Sequence, residues 1–176
     1  EPGLMSLVTY EPIGVCALIG PWNMPLGLTA MKIAGALAFG NTCVVKPSEL
    51  TPLTVSRLFE IIEGVLPEGV MNLVNGRGQV TGTALVSHPG IDMVSFTGGT
   101  VTGSAILGSL AKGIKGSAME LGGKSANIVF ADADFEKAVD AALLSSFMNN
   151  GQMCLAGSRI FVDRKIANRF IDSFTR

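Results

Sequence analysis

Short apolar runs alternate along the chain with longer stretches in which apolar positions recur every three to four residues. The runs at 14–20, 42–46, 70–75, 93–97 and 126–130 predict strands, and the stretches at 28–38, 53–65, 80–87, 102–111 and 135–149 predict the helices that follow them. A strand at 160–162 and a helix at 166–174 end the sequence. Repeated strand-helix alternation predicts an α/β fold built on a doubly wound, mostly parallel, Rossmann-like sheet. The strands are apolar throughout, as in Cys43-Val44-Val45, which fits a sheet with helices on both faces.

Open sheets of this kind take their ligands beyond the carboxyl ends of the strands. The loops after Gly20, Lys46, Asn75 and Thr97 are therefore expected to meet at one crevice. Over 115–123 the alternation breaks, with Glu120-Leu121-Gly122-Gly123 standing between the last helix of one series and the next strand. The expected organisation is a first domain over 1–119 and the beginning of a second α/β domain over 120–176.

Composition narrows the class. Of the 176 residues 48% are apolar and 15% charged, and the 22 glycines are scattered among the apolar runs, as in a packed domain. A formal charge of -1, a pI near 5.8 and no cluster of Lys and Arg among aromatics exclude a nucleic-acid footprint. No apolar run approaches the roughly 20 residues of a membrane-spanning helix. Cys16, Cys43 and Cys154 are odd in number and lack metal-ligand spacing, so neither a disulfide framework nor a metal site is expected, and a reducing cytoplasm is the expected compartment. The chain opens on Glu1 without a start methionine or signal peptide and reads as a portion of something longer.

Two glycine-rich turns join strand to helix. Gly76-Arg77-Gly78-Gln79-Val80-Thr81-Gly82 has one residue more than the G-x-G-x-x-G fingerprint and reads either as a dinucleotide turn or as a plain tight turn. Phe96-Thr97-Gly98-Gly99-Thr100 strengthens the phosphate reading. Gly122-Gly123-Lys124-Ser125 imitates the end of a P-loop, but Ala118 stands where that motif requires glycine and a strand follows where it requires a helix. A nucleoside triphosphatase is rejected. Lys46-Pro47-Ser48-Glu49 ends a strand at the expected crevice, where a cation and a carboxylate can grip a ribose; the same residues also suit an ordinary helix start.

Cys154, in Gly151-Gln152-Met153-Cys154-Leu155-Ala156-Gly157, lies between helix and strand and is flanked by glycines, a setting that exposes a thiol. Cys16 and Cys43 sit inside apolar strands and read as core residues. Glu120 offers a carboxylate in mostly apolar surroundings, as a general base requires, and Asn23 in Pro21-Trp22-Asn23-Met24-Pro25 offers an amide to an oxyanion or simply a turn. The single histidine, His88, reads as structural, so no Cys-His or Ser-His-Asp set is available.

In this order and spacing, Pro21-Trp22-Asn23, Lys46-Pro47-Ser48-Glu49, Phe96-Thr97-Gly98-Gly99, Glu120-Leu121-Gly122-Gly123-Lys124 and Gly151-Gln152-Met153-Cys154 closely resemble the aldehyde dehydrogenase superfamily. The resemblance implies Cys154 as nucleophile, Glu120 as general base and Asn23 as oxyanion-hole amide. It implies that Lys46 and Glu49 hold the adenosine ribose, and that Ile19, Pro21, Trp22, Ser48, Gly78, Gly82, Phe96, Thr97, Gly98, Gly99 and Leu121 line the cofactor. Gly99 replaces a phosphate-binding serine, which leaves that contact to backbone or Thr100.

On this reading 1–119 is most of an NAD(P)-binding domain and 120–176 the start of the catalytic domain. The implied activity is oxidation of a small-molecule aldehyde to a carboxylic acid through a cysteine thiohemiacetal and thioester. NAD is favoured over NADP because Glu49 repels a 2′-phosphate, and the parent enzyme is expected to be a homo-oligomer. Two rivals stand beside it: a catalytically incompetent fragment that only binds a dinucleotide, and a CoA-acylating semialdehyde dehydrogenase, against which Glu120 counts.

Overall fold

The computed structural model describes residues 3–176, which divide into two compact units, the first running to Glu120 and the second Leu121–Arg176. The first unit holds a five-stranded sheet of β1 (Val15–Ile19), β2 (Thr42–Lys46), β3 (Met71–Leu73), β4 (Met93–Gly98) and β5 (Gly116–Leu121), in the order β3-β2-β1-β4-β5. β1 pairs in parallel with β2 and β4, and β2 in parallel with β3. The chain thus winds outward in both directions from β1, and the reversal of strand order falls between β1 and β4.

Helices cover both faces. α1 (Pro25–Ala38) and α2 (Leu53–Ile61) lie over one face, where Cys16, Leu18, Cys43 and Val45 pack with Ile33, Ala36 and Val55. α3 (Thr83–Ser87) packs on α4 (Thr100–Ala111), and these contribute the buried Val86, Ile106 and Leu110. Because successive side chains of a strand point to opposite faces, a central strand with two covers is buried at every position. β1 is that strand: Cys16, Ala17, Leu18 and Ile19 are all buried. Leu18 and Ile19 each contribute roughly 1.5–3 kcal/mol of burial.

The amino-terminal end of the sheet is fastened by polar side chains. Asn41 Oδ1 accepts from the Ile13 and Gly14 N–H groups at 2.6 and 3.0 Å, while its Nδ2 donates to the Ala36 carbonyl. Asp92 accepts from Val15 N–H at 2.8 Å.

In several places the structure differs from the sequence pattern. The break expected over 115–123 contains β5, whose Gly116 N–H donates to the Asp92 carbonyl at 2.9 Å and begins an edge strand beside β4. Helix α1 starts at Pro25, before position 28, because proline at its first position is already fixed in a helical φ. Helix α2 ends at Ile61, short of 65. The helix expected from 80 opens as a π turn, Gly78–Gly82, in which the Arg77 carbonyl accepts from the N–H groups of Val80, Thr81 and Gly82. The residue in excess of the dinucleotide fingerprint is absorbed in this wider turn. The helix-start reading of Ser48 and Glu49 is corrected as well, since α2 begins only at Leu53.

The second unit pairs β6 (Ala126–Val129) in parallel with β7 (Arg159–Val162). α5 (Phe135–Phe147) and α6 (Ala167–Phe174) cover it around Val129, Val139, Ala142 and Phe170. Asp134 caps α5 by accepting from Lys137 N–H, and the same carboxylate meets the Lys137 ammonium at 2.7 Å. The helix expected to run to 149 stops at Phe147, where a short 3-10 turn, Met148–Gly151, takes over.

Candidate functional site

The carboxyl ends of β1, β2 and β4 gather most of the residues singled out in the sequence. Ile19 is the register partner of both Lys46 and Phe96. Gly20 N–H donates to the Lys46 carbonyl at 3.0 Å, so the exit from β1 is tied to the end of β2. Pro21 is buried, Trp22 is exposed on the turn, and its carbonyl accepts from Thr51 Oγ1 at 3.2 Å. Asn23 is half-buried just before α1.

Lys46 is buried although it is charged, which a protein tolerates only where the ammonium is paired. Its Nζ donates to the Pro47 carbonyl at 3.0 Å and lies 3.6 Å from Glu49 Oε2. The aliphatic stem runs beneath Gly82, where an added Cβ would meet Cδ and Cε at 3.8 Å. Glu49 in turn accepts from Gly78 N–H at 3.2 Å through Oε1. One carboxylate therefore joins the end of β2 to the start of the π turn. Its own backbone N–H, the Gly78 N–H and then the Lys46 ammonium hold it below the ordinary glutamate pKa of 4.5. Ser48 is half-buried, and its Oγ accepts from Leu50 N–H at 3.3 Å.

β4 delivers the second glycine turn. Phe96 and Thr97 are buried, and the Phe96 ring occupies the space that a Cβ at Gly98 would need. Gly99 caps α4 without a side-chain hydrogen bond, and the space beside it is open. The first-turn N–H groups of α4 are thus left without a side-chain acceptor, which suits an anionic group.

Sequence reasoning missed Lys32. It projects from α1, and its Nζ donates to Ser95 Oγ of β4 at 2.8 Å. Burial pulls its pKa below the ordinary lysine value, with Glu120 pulling the other way. Glu120 itself is exposed on β5, so the apolar surroundings expected for it are corrected: the charge it meets is Lys32. A lysine at one position of an amphipathic helix carries no sequence signal for this.

Leu121 is half-buried, ends β5 and opens the second unit. In that unit Cys154 is exposed. The segment that carries it is held on α5, since Gly157 N–H donates to the Ser145 carbonyl at 3.2 Å and to its Oγ at 3.1 Å. Gly157 has no room for a Cβ, because Ser145 Oγ stands there. On the other side Gly123 approaches the Cys154 carbonyl, which an added Cβ would meet at 3.8 Å. Gly157 is thus a close-packing position on the segment that carries the exposed thiol.

The chain is similar to known proteins over its whole length. The model of the aldehyde dehydrogenase family matches residues 1–176. Betaine aldehyde dehydrogenase of Bacillus subtilis is 49% identical over 171 residues, covering 97% of this chain and 35% of that protein. The 5-carboxymethyl-2-hydroxymuconate semialdehyde dehydrogenase of Escherichia coli is 48% identical over 169 residues, covering 96% of this chain and 36% of that protein. A crystal structure of betaine aldehyde dehydrogenase from Staphylococcus aureus in complex with NAD+ superposes with a TM-score of 0.90 at 49% identity, covering 93% of this chain and 33% of that one. The chain spans about a third of the length of these relatives. Among the described residues no helix is long and apolar enough to cross a membrane. With its strand order, its glycine turns and its similarity over the whole length in agreement, the chain belongs to the aldehyde dehydrogenase family.

Proposed function

We propose that this chain supplies the NAD-binding unit and the nucleophile of an enzyme that oxidises an aldehyde to a carboxylic acid. The observation that carries the cofactor half is Glu49: an ionised carboxylate, half open to solvent, at the carboxyl end of β2 and beside the Lys46 ammonium. Its free lone pairs suit ribose hydroxyls, and the uncapped start of α4 beside Gly98, Gly99 and Thr100 suits a pyrophosphate. Ile19, Pro21, Trp22, Ser48, Gly78, Gly82, Phe96, Thr97 and Leu121 are the proposed remainder of the lining. The residues present therefore fit a dinucleotide, and NAD more readily than NADP. When bound, the oxidised nicotinamide supplies the hydride acceptor.

The proposed roles of the chain's own residues follow from their chemistry. Cys154, as thiolate, adds to the aldehyde carbon, and the Asn23 amide donates to the oxygen as it gains negative charge. Loss of hydride leaves a thioester on Cys154. Glu120 takes a proton from water, the resulting hydroxide attacks the thioester carbonyl, and the Cys154 sulfur departs as the acid is released.

A second reading is favoured by coverage. Since the 176 residues span about a third of the matched relatives, the isolated chain is proposed to bind NAD without turning over. One assay separates the two. The complete polypeptide encoded by the gene and the 176-residue chain are each given NAD+ and a panel of aldehydes, with reduced cofactor followed by absorbance and NAD+ binding by calorimetry. Turnover by the complete polypeptide that vanishes in Cys154→Ala supports the proposal. Turnover that survives this substitution overturns it.

A further inference from the structure

The turn that leads from α5 to Cys154 holds a chemically labile pair. Asn149 and Asn150 adopt left-handed φ values of 52° and 58°, and Gly151 follows at 72°. Side-chain-bearing residues enter this region at a cost, asparagine least among them, and a run of such positions is a strained segment. Asn150 and Gly151 are both exposed. No Cβ at Gly151 stands in the way of its backbone nitrogen.

We propose that Asn150 is a site of spontaneous deamidation through a cyclic imide formed with Gly151. The Gly151 nitrogen attacks the Asn150 side-chain carbonyl carbon, and a new C–N bond forms. The amide C–N bond breaks, and ammonia leaves with the proton shed by the Gly151 nitrogen. Water then opens the imide at either carbonyl, giving aspartate or isoaspartate, with no change of oxidation state. Ring closure requires the Asn150 ψ of 29° to leave the left-handed well, and a residue held there at a cost gives up little by leaving. The outcome is a negative charge on the segment before Cys154 and, for isoaspartate, also a main chain lengthened by one methylene.

The chain contains a second Asn-Gly pair, Asn75-Gly76, which serves as an internal control. Asn75 Nδ2 donates to Ser56 Oγ at 3.4 Å, and the Thr81 side chain fills the space beside Gly76. These contacts restrain the Asn75-Gly76 pair.

The test is incubation of the native protein at mildly alkaline pH and body temperature for several days, followed by peptide mass spectrometry and enzymatic methylation of isoaspartate. Most of Asn150 is expected to convert while most of Asn75 stays intact, and a chain unfolded in urea is expected to lose this difference. The Asn150→Gln variant, whose longer side chain closes a ring far more slowly, is expected to lose the signal at this position. If that variant fails to fold, the comparison of Asn150 with Asn75 in the native protein still decides. Conversion of Asn75 ahead of Asn150, or an Asn150 that survives in the folded protein and converts only in urea, overturns the proposal.

Discussion

Lys46 Nζ lies 3.6 Å from Glu49 Oε2, yet the two ends of this pair stand in opposite media, with the lysine side chain 2% exposed and the glutamate 44%. The cation is fixed by its surroundings, while the carboxylate keeps lone pairs free on the crevice side. An ion pair with one wet partner contributes little to stability. On the proposed function, its value lies in holding a charged acceptor where a ligand can reach it.

Cofactor choice tests this. A 2′-phosphate brought against Glu49 meets a like charge, and Glu49→Gln removes that charge while keeping an oxygen to accept from Gly78 N–H. In the complete polypeptide the ratio of kcat/KM for NAD over NADP is expected to fall by about tenfold, or ~1.4 kcal/mol. Because Glu49 is held below the ordinary glutamate pKa, the wild-type preference is expected to persist into mildly acid solution. An unchanged ratio in the variant removes Glu49 as the discriminator.

Thiol reactivity is expected to separate the cysteines. Burial, then the neighbouring Cys16, pushes the Cys43 pKa up to about 11. Burial, then Asp92, raises that of Cys16. At pH 8 the Cys43 thiolate is on the order of a thousandth of the total, whereas Cys154 is exposed. Brief iodoacetamide treatment followed by peptide mapping is expected to find Cys154 labelled and the other two only after unfolding. Labelling of Cys16 or Cys43 in the folded protein would show that β1 and β2 are not the closed core described.

Lys32 gives a pH signature. Its folded pKa lies below the unfolded value near 10.5, mainly because of burial. Between the two values the unfolded chain binds more protons, so this group makes the fold more stable as pH rises from its folded pKa toward 10.5. Below the folded pKa both states are protonated and the dependence vanishes. Urea titrations from neutral to alkaline pH are expected to find this gain in the wild type and to find it reduced in Lys32→Met. Equal slopes would mean that Lys32 is solvated in the native state.

Glu120 is tested by the shape of a progress curve. If its task is to activate the water that hydrolyses the thioester, Glu120→Gln in the complete polypeptide keeps a rapid first release of reduced cofactor. The steady state is expected to slow by roughly 10²–10⁴. Loss of the burst along with the steady state would place Glu120 earlier in the reaction.

How far the sequence reached depended on what each residue's signal consists of. The inner strands were legible because double-sided burial leaves no polar positions, as in Cys43-Val44-Val45. The ends of those strands, and with them Lys46 and Glu49, followed from the same runs. β5 escaped because it is an edge strand with an irregular pattern, in which Ser117, Ala118 and Glu120 are exposed and only Gly116, Met119 and Leu121 are half-buried. Lys32 escaped because its partners, Ser95 and Glu120, reach it only through folding. The left-handed backbone at Asn149 and Asn150 escaped because the helical pattern of α5 runs into it without punctuation.

The π turn at Gly78–Gly82 sets a phase. Each residue of a helix advances the side-chain direction by about 100°, so the residue absorbed there decides which azimuth every later side chain of α3 takes. Val86 points inward because the count before it is long by one. A deletion within 78–82 that merely tidied the glycine motif would move Val86 to the half-buried place of Leu85 and turn Ser87 inward in its stead. The loop length that looks irregular beside a dinucleotide fingerprint is thus the timing element that keeps α3 in step with the sheet.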